Sequence, residues 1–258
     1  MATKIVLLKN KKFSNATLFT GLPGIGLVGK ICVDYLLKQL KNEKIGEIIS
    51  DSFPPAVHTK DAIIELIKDE FFSYSSKGND FVFLAGPVQP NLDARMSTGQ
   101  EHYEFAEKIV EAAKALGVKR IVTLAGINVG DKRMETEPRV ISAGTSQKIL
   151  DEFSAAGAVP GKAEGLVSGA AGLILGIAKE NGLEGACLMG ETNVRLVYGD
   201  HGAAKKLLEI LVKKFGFKIE MGSIEKEAKS IEQAFKQLAK QFEEVDEKPS
   251  EESPSYIR

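Results

Sequence analysis

The chain has 258 residues, of which 43% are hydrophobic and 27% charged. That is enough apolar material for one large α/β domain with an appendage, and a formal net charge of −1 gives no overall pull toward nucleic acid or an anionic membrane. The two cysteines, Cys32 and Cys187, lie in separate apolar stretches outside any Cys-x-x-Cys pair, which argues against a disulfide framework or a zinc site and for a reducing compartment.

Near the N-terminus an apolar run of four residues is too short for a secretory leader, and the weakly polar stretch of 14 residues at 165–178 is too short for a membrane span. The expected location is cytoplasmic. Short apolar or β-branched runs then recur at residues 5–8, 16–20, 47–50, 81–85, 121–125 and 186–189, each closed by glycine or a turn cluster. Most lack strict alternation, the mark of strands covered on both faces. Helical patterns fall between them, at 29–40, 99–116, 142–153, 165–179 and 202–214. This alternation predicts a three-layer α/β/α sandwich with a mixed, partly parallel sheet over residues 1–221. Residues 62–75 break the rhythm and read equally as an antiparallel strand pair or a helix.

Composition changes after Gly222. Ile224, Ala228, Ile231, Phe235, Leu238, Phe242 and Val245 follow spacings of 4, 3, 4, 3, 4 and 3, a heptad seam predicting a C-terminal helix over 222–245. Such a seam packs on its own domain or joins subunits; Ile231, Phe235, Leu238 and Phe242 are the candidate oligomerisation residues. Residues 246–255 are acidic with two prolines and no apolar side chain, a composition that predicts a flexible tail. It ends in Tyr256-Ile257-Arg258, whose aromatic and aliphatic side chains gain nothing from local folding and stand as the candidate partner-binding residues.

The strongest local motif runs from Gly21 to Lys30. Gly24, Gly26 and Gly29 satisfy G-x-G-x-x-G between a strand and a helix, with Asp51 placed as a ribose ligand would be. Gly24 to Lys30 also matches G-x-x-x-x-G-K, but Ile31 stands where a P-loop needs a hydroxyl for magnesium. The third reading is a packing turn, in which the glycines let helix and strand approach closely. Gly165, Gly169, Gly172 and Gly176 form a second glycine series along a predicted helix. Ser168 misses the nucleophile elbow by one position, which weakens a pairing with Asp200 and His201. His58, His102 and His201 show no metal-binding spacing. Glu191-Thr192-Asn193 is a polar loop at a strand's C-terminal end, where α/β proteins often bind ligands.

Three stretches, 19–29, 165–175 and 187–192, occur in that order ahead of the helix that opens with Ala203-Ala-Lys-Lys-Leu-Leu. Together they resemble the archaeal proteasome assembly chaperone homologues, over about residues 3 to 245. The resemblance implies an α/β/α core, a homo-oligomer, and ATP-independent action on the proteasome core particle or its α subunits. Proteasome activators dock a terminal hydrophobic–tyrosine–any tripeptide between α-ring subunits; here the tyrosine is third from last instead of penultimate. The leading expectation is therefore an assembly chaperone or activator that acts by protein binding, with no catalytic residue, cofactor or metal. The alternative is a nucleotide- or dinucleotide-binding enzyme using the Gly24–Lys30 loop.

Overall fold

The computed structural model describes residues 3–8, 11–90, 99–162 and 164–230. In chain order the elements are β1 (Lys4–Leu7), β2 (Ala16–Gly21), α1 (Val28–Gln39), β3 (Glu43–Ile49), β4 (Val57–Lys60), β5 (Ile63–Leu66), β6 (Asp69–Ser76) and β7 (Asn79–Ala85). They continue with α2 (Gly99–Ala115), β8 (Val118–Asn128), α3 (Lys132–Glu135), β9 (Val140–Gly144), α4 (Gln147–Ala156), β10 (Val159–Pro160), α5 (Gly169–Glu180), β11 (Glu184–Thr192) and α6 (His201–Phe215).

Nine strands form one sheet in the order β1-β3-β6-β7-β2-β8-β11-β9-β10. The centre, β7, β2, β8 and β11, is parallel, and β3, β6 and β9 pair antiparallel at its flanks. Consecutive residues of the central strands serve opposite cores. Phe19 packs with α1, α4 and α6 on one face, and Leu18 packs with α2 and α5 on the other. Because both faces are covered, these strands read as apolar runs without alternation. The α/β/α sandwich with a mixed sheet is thus observed.

The helix expected at 142–153 starts later. Ser142 to Gly144 belong to β9, with Ser142 opposite Leu188 of β11. The helix opens at Ser146, whose hydroxyl accepts from the Ile149 amide at 3.4 Å, so an N-cap serine sets the start. The glycine series also shifts: Gly165 precedes α5, and Gly169, at φ 76°, is its first residue. A Cβ at Gly172 would overlap the Val167 carbonyl, whereas one at Gly176 would meet nothing within 4 Å.

Residues 62–75 prove to be strands. β3 and β6 continue past the sheet as β4 and β5, an antiparallel arm turning on Asp61 and Ala62 at φ 51° and 62°. Two consecutive positive φ values are the mark of the turn that matches strand twist, here built without the usual Asn-Gly or Asp-Gly.

A helical segment at 222–230 buries the first two heptad residues, Ile224 and Ala228, with Ile224 packed into the core shared by α1 and α6. The Tyr35 hydroxyl donates to the Glu220 carbonyl at 2.6 Å, and His201 Nε2 lies 2.9 Å from Glu227 Oε2. The segment therefore runs from the end of α1 back toward the start of α6. Ile231, Phe235, Leu238, Phe242 and the terminal Tyr256, Ile257 and Arg258 lie outside the described residues.

Candidate functional site

The C-terminal ends of β2, β7, β8 and β11 form one edge of the sandwich, where α/β proteins commonly hold ligands. The loop after β2 crosses this edge through a short 3-10 turn at Ile25–Leu27. Gly26 has φ 61°, and a Cβ there would crowd the Thr192 side chain of β11. A Cβ at Gly29 would overlap the Leu124 carbonyl of β8, and one at Gly126 would overlap the Ile25 carbonyl. The loop thus lies flat against the strand ends. Gly24 differs from the structural role expected of it: it is extended at φ −160°, and a Cβ would meet nothing within 4 Å.

Next to this loop lies a buried ion pair. Arg133 of α3 donates from Nε and Nη2 to the two carboxylate oxygens of Asp200, each at 2.8 Å, and both side chains are fully buried. Asp200 also accepts from the Thr192 hydroxyl and from the Ala203 amide, each at 2.9 Å, capping α6. Its own amide donates to the Gly26 carbonyl at 2.8 Å. The Asp200 carboxylate therefore ties together β11, α3 and α6, and its amide adds the glycine loop. Beside it, Glu191 accepts from the Arg139 guanidinium at 2.6 Å, a hydrogen bond that holds its carboxyl below the ordinary range.

Residues 193–199 fold over the start of α1. Asn193 donates to the Gly130 carbonyl at 2.9 Å, and the Val194 amide donates to Asn128 Oδ1 at 3.2 Å. A Cβ at Gly199, which has φ 106°, would crowd Ile31 of α1. Gly199 and the Asp200 amide thus hold the end of this loop against the glycine loop and the start of α1. Lys30 turns along α1 to pair with Asp34 at 2.7 Å. Asp51 follows β3, three strand positions from β2, so it is about 14 Å across the sheet from the glycine loop. The arrangement does not bring the nucleotide ligands of the alternative reading together.

Nor does it assemble the Ser168, His201, Asp200 set. Ser168 precedes α5 on one face, His201 opens α6 on the other, and Asp200 is committed to Arg133. Among the described residues no group of three or more His, Cys, Asp or Glu could hold a metal ion. Likewise no described helix is long and apolar enough to cross a membrane. Cys32 and Cys187 are both buried and unpaired with each other, and burial pushes the Cys187 thiol up to about 11. What remains open at this edge is a cleft of about 180 Å³ lined mainly by apolar groups, among them Leu22, Pro23, Ile25, Val167 and Met189.

Asp69, at the root of the arm, is fully buried. Its Oδ1 accepts from the Val88 amide at 3.5 Å, and its Oδ2 has no hydrogen-bond partner among the described residues. Desolvation raises this carboxyl well above its ordinary value, and the positive charge of Lys30 opposes that shift without outweighing it. The consequence for stability follows from proton linkage. The unfolded carboxyl releases its proton near pH 4 while the folded one keeps it. This group therefore costs stability progressively as pH rises from there toward its native value. Asp69→Asn, which mimics the neutral acid, should raise Tm relative to wild type, by little at pH 4 and by more at pH 8. A gap that does not widen with pH, measured by thermal melts across that range, would contradict a neutral native Asp69.

The architecture defines an α/β/α sandwich whose strand-end edge is closed by its own loops and a buried ion pair. The chain belongs to the PAC2 family, whose model matches residues 18–239. It is 36% identical over 249 residues to the uncharacterized protein MJ1210 of Methanocaldococcus jannaschii, covering 94% of this chain and 92% of that one. Among solved structures it is similar to Pyrococcus furiosus PbaB, an archaeal proteasome activator, at 30% identity and a TM-score of 0.81, over 92% of this chain and 99% of PbaB. It is also similar to P. furiosus PbaA, an archaeal homolog of proteasome-assembly chaperone, at 26% identity and a TM-score of 0.70, over 95% of each chain.

Proposed function

We propose that this protein is a proteasome-associated assembly chaperone or activator, which binds the core particle or its α subunits as a homo-oligomer and does so without nucleotide. The observation that carries this reading is the similarity to PbaB along nearly the whole of both chains. The strand-end edge supports it, since the glycine loop packs flat against β8 and β11 and Lys30 is paired with Asp34. The partner contact is the C-terminal Tyr256, Ile257 and Arg258. A tyrosine buries its ring while its hydroxyl keeps a partner, and the residues before it are polar. One tail binds weakly, but several tails on an oligomer facing a ring gain roughly 10²–10⁴-fold in avidity.

The test is a pull-down with purified core particle, using the full chain and a chain ending at Ser255. Loss of binding without change in Tm or oligomer mass is the expected result. Undiminished binding after the deletion would move the contact to the folded surface.

A further inference from the structure

The edge described above also carries apolar groups that are exposed among the described residues. In the arm, Val57 stands opposite Leu66 and Thr59 opposite Ile64, so these four share one face, and His58, Lys60, Ile63 and Glu65 share the other. All eight strand residues of the arm are exposed. A two-stranded ribbon with an uncovered apolar face is marginal in water, so this arm is built to be covered. At the opposite side of the same edge, loop 193–199 presents Val194, Val197 and Tyr198, the last 93% exposed. That loop is not slack. It is pinned by the Asn193 and Asn128 side chains and by the Asp200 amide, so its apolar groups are held in fixed positions facing solvent.

We propose that this strand-end edge is the interface between two copies of the chain, with the arm of each covering the 193–199 loop of the other. Three observations select a second copy. First, arm and loop lie on one end of the molecule, because β3 ends and β6 begins at the edge where β11 ends. They are separated by five strand spacings, about 24 Å. A two-fold axis lying between two such ends, crossing the arm-to-loop line at its midpoint, places each arm over the partner's loop, as an isologous contact requires. The arm's four-residue strands are about 13 Å long, enough to lie alongside that loop.

Second, the charges of this end are mixed in sign and largely matched within the chain: Arg195 pairs with Asp131 and Lys30 with Asp34, and the arm carries both Lys60 and Glu65. A two-fold contact sets a surface against its own charge pattern, so a single-signed end would repel itself and a balanced one does not. Third, the area suffices. The six apolar side chains of arm and loop, from about half to nine-tenths exposed, offer about 400 Å² in all. A standard interface buries about 800 Å² per partner, a little over half of it apolar.

The test uses the full chain. Ile64→Glu on the arm and Val197→Glu on the loop change exposed side chains, so both should keep the wild-type circular dichroism. Each should lower the mass seen by light scattering and weaken self-association by tenfold or more. A second measurement joins the two sites directly: an Ile64→Cys chain mixed with a Val197→Cys chain should form an intermolecular disulfide on oxidation in greater yield than either chain alone. Cys32 and Cys187 are buried and do not compete. Unchanged mass in both variants, or a change in only one, would overturn the reciprocal arrangement, as would the absence of the mixed disulfide. Loss of core-particle binding in both variants with mass unchanged would assign this end to the particle instead. The outcome is independent of the tail deletion, which reads the particle contact while leaving this end intact.

Discussion

Arg133→Met should lower the unfolding free energy by about 3–5 kcal/mol, because it strands the Asp200 carboxylate in a fully buried position without its counter-charge. At about 2–4 °C per kcal/mol for a chain of this size, Tm should fall by roughly 6–20 °C, read by calorimetry or circular dichroism. Asp200→Ala should cost at least as much. It removes the charge and also the acceptor for the Thr192 hydroxyl and the Ala203 amide, so three elements and a helix cap lose a shared partner. In the double variant the losses should be much less than additive, since each single change already breaks the pair. A drop below 1 kcal/mol for Arg133→Met would mean that Asp200 is satisfied without the guanidinium, and the account of this edge as a locked platform would fail.

The glycine loop gives the second large effect, and its three positions should separate cleanly. Gly29→Ala pushes a methyl into the Leu124 carbonyl, part of the central strand β8, where neither backbone can yield. Overpacking of this kind costs typically 1–3 kcal/mol, and backbone against backbone falls at the upper end. Gly26→Ala adds left-handed strain of about 1–2 kcal/mol to a clash with Thr192. Gly24→Ala should be within about 0.5 kcal/mol of wild type, having free space and an extended backbone. The same melts test the enzyme reading. A nucleotide present at 100 times its dissociation constant would stabilise the fold by about 2.7 kcal/mol, so an unchanged Tm with ATP, NAD or NADP is expected. A saturable shift would return the loop to ligand binding and displace the packing account.

The central strands were legible because burial on both faces leaves uninterrupted apolar runs, as in Leu18-Phe19 and Val82-Phe83. The arm was not, for a local reason: Asp61 and Ala62 take a turn normally signalled by glycine, so residues 62–75 carried no hairpin signature. The false helix start at 142 has a similar origin, since Ser142 to Gly144 pair antiparallel with β11 while Ser146 caps the helix behind them. Long-range pairing was the largest omission. Arg133 and Asp200 are 67 residues apart, and Arg133 sits in a polar stretch that gives no hint of burial. One signal existed: Asp200 directly precedes an apolar helix, the position of an N-cap, which argued for a structural carboxylate over a catalytic one. Of the heptad only Ile224 and Ala228 fall within the described residues, in a helical segment where both are buried and Ile224 joins the chain's own core.

The two margins of the sheet are unlike, and this bears on how the protein behaves when concentrated. At one margin β10 is only two residues long and ends in Pro160, which has no amide hydrogen to offer an incoming strand. At the other, β1 pairs with β3 on one side only, and Val6 and Leu7 are exposed. A sheet open at one margin can accept one neighbour side by side and must then stop, because the outer margin of each neighbour is the blocked one. Lateral growth into a fibre requires both margins. The proline at position 160 thus acts as a chain terminator for sheet polymerisation.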